Sequence, residues 1–180
     1  MSEINNSSCC SCAPGCCVSI PDNAVLDKKR LVIDFLYLDL SVCTRCQGTD
    51  NTLDEALAEV SKVLEATGTE VVLNKINVNT EELAVAYKFK SSPTIRVNGH
   101  DIQIEVRESL CESCGDLCGD EVYCRVWVYQ GNEYTVPPKA MIIEAILKEV
   151  YGGNRGDDAT EQEYVMPDNL KHFYAVMESK

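Results

Sequence analysis

The chain is 180 residues long and 45% hydrophobic, with eleven cysteines and a formal net charge of −13. That length holds one domain with a sizeable core plus tails, and the negative balance argues against a nucleic-acid partner or an anionic membrane surface. It suits cationic partners and metal ions instead.

No apolar run reaches membrane-spanning length, because Asp34 and Asp39 interrupt the best one. The start, Met1-Ser2-Glu3-Ile4-Asn5, lacks the basic and apolar regions of a secretory signal, so the expected location is the cytoplasm. In a reducing compartment cysteines serve catalysis or metal binding more often than disulfide frameworks.

Residues 1–27 carry Cys9, Cys10, Cys12, Cys16 and Cys17 around Pro14 and Gly15, without periodicity. They are expected to form a flexible leader, because few large apolar side chains offset the entropy of ordering. The nearly continuous apolar run 31–38 predicts a central parallel strand. Cys43-Thr44-Arg45-Cys46 follows it. Leu53, Ala56, Leu57, Val60, Val63 and Leu64 recur at helical spacing, with a capping box at Thr52 and Glu55 and a stop at Gly68. The pattern places the regular helix several residues after Cys46, with Cys43 in a loop.

A second strand is expected over 71–78, then a short helix capped by Thr80 and carrying Leu83, Ala84 and Tyr87. Ser92-Pro93-Thr94-Ile95 opens a third strand, and Asn98-Gly99 turns it into a hairpin completed over 101–106. A cysteine-rich insert spans 108–124. Strands at 125–129 and 133–136 flank Gln130-Gly131-Asn132. Pro137-Pro138 opens a helix with Met141, Ile142, Ala145, Ile146 and Val150 on one face, which Gly152-Gly153 ends. Residues 154–163 read as an acidic linker. A last short helix docks through Leu170, Phe173 and Tyr174. The expected division is a leader (1–27), a main α/β domain (28–151, containing the insert) and a linker with the final helix (152–180).

The order β-α-β-α-β-β-α, with C-x-x-C after the first strand and proline opening the third, resembles the thioredoxin fold over roughly residues 31–151. More narrowly, three stretches look like a thioredoxin-like bacterial group, the domain-of-unknown-function family 2703. They are residues 39–46, Ser92-Pro93-Thr94-Ile95-Arg96 and Pro167-Asp168-Asn169-Leu170-Lys171. The resemblance implies a mixed β-sheet flanked by helices, with Pro93 cis and facing the dithiol. It implies that Cys43 attacks a partner disulfide and Cys46 resolves it. Asp34 or Asp39 would be the proton relay. Val42 replaces the usual aromatic residue before the first cysteine, and Thr44-Arg45 replaces the usual Gly-Pro. Arg45 is expected to stabilise a thiolate at Cys43.

Each cysteine group has its own chemistry. Cys43 and Cys46, with Pro93, are the candidate catalytic set. Cys111, Cys114, Cys118 and Cys124 offer four thiolates in a short span, enough for a tetrahedral zinc site. The alternatives are paired disulfides or free thiols in a loop. The leader set, Cys9, Cys10, Cys12, Cys16 and Cys17, suits a soft ion such as Cu(I), As(III) or Hg(II), or an iron–sulfur cluster. His100, His172 and Trp127 read as surface or packing residues. The expected function is thiol–disulfide redox chemistry with a protein partner. The alternative is binding or trafficking of a thiophilic metal or metalloid, with zinc as one candidate ion and no turnover. No phosphate loop, serine triad or dinucleotide fingerprint is present.

Overall fold

The computed structural model describes residues 29–118, 122–153 and 163–179, without the side chains of 117 and 118. The five leader cysteines and nearly all of the acidic linker lie outside these residues.

The fold is a mixed α/β arrangement in which helices flank a mixed sheet. Strand β1 (Lys29–Tyr37) runs parallel to β2 (Thr69–Asn77) and antiparallel to β3 (Thr94–Val97), which pairs with the two-residue β4 (His100–Asp101). The sheet order is β2-β1-β3-β4. This is consistent with a thioredoxin-like arrangement. A second, antiparallel sheet holds β5 (Arg107–Leu110), β6 (Tyr123–Tyr129) and β7 (Asn132–Tyr134). Asn98-Gly99 and Gln130-Gly131 have positive φ, as their tight turns require.

Two buried clusters form around β1. In one, Leu31, Ile33 and Phe35 meet Leu53, Ala56, Val60 and Leu64 of α1 (Thr44–Ala66) and Ile142 and Ile146 of α4 (Lys139–Tyr151). Period-two alternation in the strand and spacings of three and four in the helix aim these side chains at one another. In the other, Leu36 and Leu38 meet Ala84 of α2 (Glu81–Ala86) and Leu170, Phe173 and Tyr174 of α5 (Asp168–Glu178). The described cysteines with described side chains all belong to this second cluster.

Two expectations change, and the insert resolves into elements. First, α1 begins at Thr44 rather than Thr52, because Cys43 is its N-cap and accepts from the Cys46 amide. The Thr52 hydroxyl donates back to the Gly48 carbonyl at 2.8 Å, which removes the need for a cap there. Second, the hairpin after Gly99 stops at Asp101. The Gln103 side chain then turns inward, donating to the Val126 carbonyl and accepting from the Val128 amide. Within the insert, β5 pairs with β6, and α3 (Glu112–Cys118) lies between them in sequence.

The two sheets are joined at Arg125, whose amide donates to the Ser92 carbonyl at 2.7 Å. Its fully buried guanidinium forms a two-pronged ion pair with Asp101 at 2.7 and 2.8 Å and lies 5.1 Å from the centre of the Trp127 ring. Removing one partner of such a pair leaves a buried charge uncompensated. Asp101→Ala should therefore cost about 3 kcal/mol in chemical denaturation. A loss below about 1 kcal/mol would show that water takes over the guanidinium.

Candidate functional site: five buried thiols at the start of α1

The site begins with the turn after β1. The Asp39 carboxylate accepts from the amides of Ser41 and Val42 and from the Ser41 hydroxyl, closing the loop just before Cys43. Cys43 then caps α1, with the Cys46 amide 3.3 Å from its sulfur. The positive end of a 23-residue helix thus points at this sulfur.

A second segment comes in from the far side of the sequence. The Cys111 amide donates to the Val122 carbonyl at 2.8 Å, which closes the base of the loop carrying α3. Cys111 and Cys114 stand on this loop, and Cys124 sits on β6. The sulfurs of Cys43, Cys111, Cys114 and Cys124 all lie within 4.8 Å of one another. Cys114 and Cys124 are in sulfur–sulfur contact at 3.5 Å.

Arg45 holds the two segments together. Its guanidinium donates to the Ser109 carbonyl and hydroxyl, the Cys124 carbonyl and the Leu110 carbonyl, the last at 2.6 Å. The expected thiolate partner of this cation is therefore replaced by backbone oxygens on β5 and β6. Five N–H donors in a planar fork let one side chain span three residues. Thr44 adds to the join through its amide and hydroxyl, both next to the Ser113 hydroxyl. On the other flank, Asn169 of α5 donates to the Tyr123 carbonyl at 2.8 Å and accepts from the Tyr123 amide.

The C-x-x-C pair is divided by this geometry. Cys43 joins the four-sulfur group. The Cys46 sulfur lies 3.3 Å from the Ser92 hydroxyl, whose oxygen also accepts from the Leu38 amide. The Ser92–Pro93 bond is cis, and Ser92 makes the contact to Cys46. No disulfide links the cysteines whose side chains are described.

Hydrogen bonding sets the charge within the cluster. Bonds from Cys111, Cys114, Cys124 and Cys46 push the Cys43 thiol far down, against the opposing effect of burial. Cys111 is lowered to about 6, first by Cys114 and then by Cys124. Cys46 is pushed up by its hydrogen bond to Cys43, by burial and by the charge on Cys43. Cys114 and Cys124 are raised, chiefly through their bonds to Cys111. Negative charge therefore gathers first on the helix-capping sulfur.

The remaining candidates fall elsewhere. Cys118 ends α3, and its side chain is outside those described. Asp34 accepts from the Asn74 amide group at 2.8 Å, and Asp39 holds the turn, so the hydrogen bonds of neither carboxylate reach a thiol. His100 lies 3.8 Å from Glu149 of α4. The sequence reading missed Ser92, Ser113 and Asn169 as supporting residues. A polar residue beside a cysteine or proline carries no periodic signal. Ser92 and Asn169 lay within stretches that the resemblance quoted, and Ser113 did not.

Residues 31–146 match the family model described as a domain of unknown function (DUF2703), and the chain belongs to that family. No curated protein and no solved structure matches.

Arg45→Ala should lower stability by about 2 kcal/mol, the scale of hydrogen bonds to a charged group. It should also speed alkylation of Cys111 and Cys124 in the folded protein. Unchanged alkylation rates would show that the two segments hold together without the clamp.

Proposed function

We propose that the protein binds a thiophilic metal ion through Cys43, Cys111, Cys114 and Cys124. The observation that carries this reading is the convergence of four sulfurs from three separate positions in the fold within 4.8 Å. A tetrahedral divalent ion with sulfur bonds of about 2.3 Å needs sulfur–sulfur separations of about 3.8 Å. The group is close to that spacing before any ligand pulls it inward.

Chemistry and environment support the same reading. Four thiolates suit zinc, cadmium or another soft ion, and leave little for a hard cation such as magnesium. With a divalent ion the site carries two net negative charges. The α1 amino terminus and the Arg45 guanidinium, both built into the site wall, offset them. The four cysteines are at most 2% exposed, which favours slow exchange of a held ion over rapid transfer.

Thiol–disulfide exchange with a protein partner, in a thioredoxin-like manner, is the second reading. Its support is the Cys43–Cys46 turn beside Ser92. The attacking sulfur in such exchange must reach a disulfide on another protein. Cys43 is 0% exposed, and three further thiols surround it. The metal reading needs no such exposure and is preferred.

Anaerobically purified protein should bind one Co(II) per chain at this centre. It should show sulfur-to-cobalt charge-transfer absorption and tetrahedral d–d bands. Serine at Cys43, Cys111, Cys114 or Cys124 should weaken binding at least a hundred-fold, whereas Cys46→Ser should retain it. The leader thiols are removed from the measurement by replacing Cys9, Cys10, Cys12, Cys16 and Cys17 with serine in the full-length chain. Octahedral spectra, or binding that survives Cys43→Ser, would overturn the assignment.

A further inference from the structure

Cys46 is the thiol that the four-sulfur group leaves over. It is fully buried, its amide touches the Cys43 sulfur at 3.3 Å, and its own sulfur rests on the Ser92 hydroxyl at 3.3 Å. Side-chain hydrogen bonding also links it to the Cys43 sulfur. A thiol spent only on packing would not be expected beside a ligand sulfur, one helical turn away. The same position suits a reserve partner for Cys43.

We propose that the centre has a second activity, reduction of a small hydroperoxide, in which oxidation of Cys43 expels the ion and Cys46 is the resolving thiol. The inference rests on the four-thiolate reading for the identity of what is expelled. It makes a bound divalent ion and a Cys43–Cys46 disulfide alternative states of one site.

The steps balance as follows. The Cys43 sulfur leaves the ion and attacks the outer oxygen of the hydroperoxide. A sulfur–oxygen bond forms, the oxygen–oxygen bond breaks, and the alkoxide takes a proton from water to leave as an alcohol. Cys43 is now a sulfenic acid. The Cys46 thiol attacks its sulfur, a sulfur–sulfur bond forms, and the hydroxyl leaves with the Cys46 proton as water. Two thiols have lost two electrons, and the peroxide has gained them. The ion is left with Cys111, Cys114 and Cys124, one ligand and one negative charge fewer, and dissociates.

The geometry selects both the oxidant and the resolving residue. Cys43 is buried next to exposed Thr44, whose amide and hydroxyl meet the Ser113 hydroxyl. A molecule of a few atoms can reach a buried sulfur through a small local opening, and a folded protein disulfide cannot. Cys46 belongs to the same helical turn as Cys43, so their approach needs only side-chain rotation. Pairing Cys43 with Cys111, Cys114 or Cys124 would consume two ligands and tie α1 covalently to the β5–β6 unit. The Ser92 hydroxyl holds the Cys46 sulfur at 3.3 Å.

The test uses the full-length chain with the five leader cysteines changed to serine. It is loaded with one equivalent of zinc and treated with a small excess of hydrogen peroxide. A colorimetric chelator follows zinc release, and peptide mass spectrometry maps the disulfide. One zinc should leave per disulfide formed, and the bridge should join Cys43 and Cys46. Cys46→Ser and Cys46→Ala should bind zinc with unchanged stoichiometry but form no disulfide when treated with peroxide. In both, Cys43 should accumulate sulfinic acid. A disulfide at Cys43 in both variants, or a wild-type bridge to Cys111, Cys114 or Cys124, would overturn the proposal. If the protein holds no zinc, the metal reading fails alone. Peroxide treatment of the metal-free chain then decides the redox step by the presence or absence of the Cys43–Cys46 bridge.

Discussion

The join between the amino terminus of α1 and the β5–β6 unit is the constraint on which the site depends. Arg45 makes it with one guanidinium and four oxygens on three residues. Without that join, Cys43 would belong to one half of the fold and Cys111, Cys114 and Cys124 to the other. The half-buried cation donates to three backbone carbonyls at the seam. It also adds positive charge beside the thiol cluster. A residue between the two cysteines of a C-x-x-C thereby acts as a structural bracket for a site that extends well outside the motif.

The element types and their order were legible in the sequence because they rest on periodicity. Leu31, Ile33 and Phe35 alternate, Leu53, Ala56, Val60 and Leu64 recur at helical spacing, and both clusters follow from those patterns. Turn chemistry was equally readable at Asn98-Gly99 and Gln130-Gly131, where positive φ is demanded. The helix start was misread because the Thr52–Glu55 signature resembles a cap. A thiol at Cys43 fills that role nine residues earlier, and cysteine is a weak entry in any capping preference. The elements of the insert carry no periodic signal, for a related reason. Its strand is short and pairs only with β6, so its hydrogen bonds are long-range information that no local window contains.

The candidate site shows the same division more sharply. The sequence grouped cysteines by neighbourhood: a leader set, a central pair and an insert set. Folding regroups them by space, taking Cys43 from the pair and Cys111, Cys114 and Cys124 from the insert. Spacing within a motif limits which sulfurs can meet, but the seam between two sheets decides which do. Cys46 shows the converse. Its neighbour in sequence remains its neighbour in space, yet it faces Ser92 and stands outside the four-sulfur set.

Burial then decides between chemistries that the residue types alone leave open. Five thiols in contact within an apolar cluster cannot all ionise, because each further charge is opposed both by desolvation and by those already present. The charge settles on Cys43 and Cys111, where hydrogen bonds and the helix terminus favour it. Two partners relieve the crowding. A divalent cation neutralises the charge and allows four thiols to lose their protons together. Oxidation removes the protons and the charge by joining two sulfurs covalently. An open, exposed dithiol feels neither pressure, since water stabilises each thiolate separately. A sealed pocket of this density therefore makes metal binding and disulfide formation compete for the same sulfur, and Cys43 is the sulfur common to both.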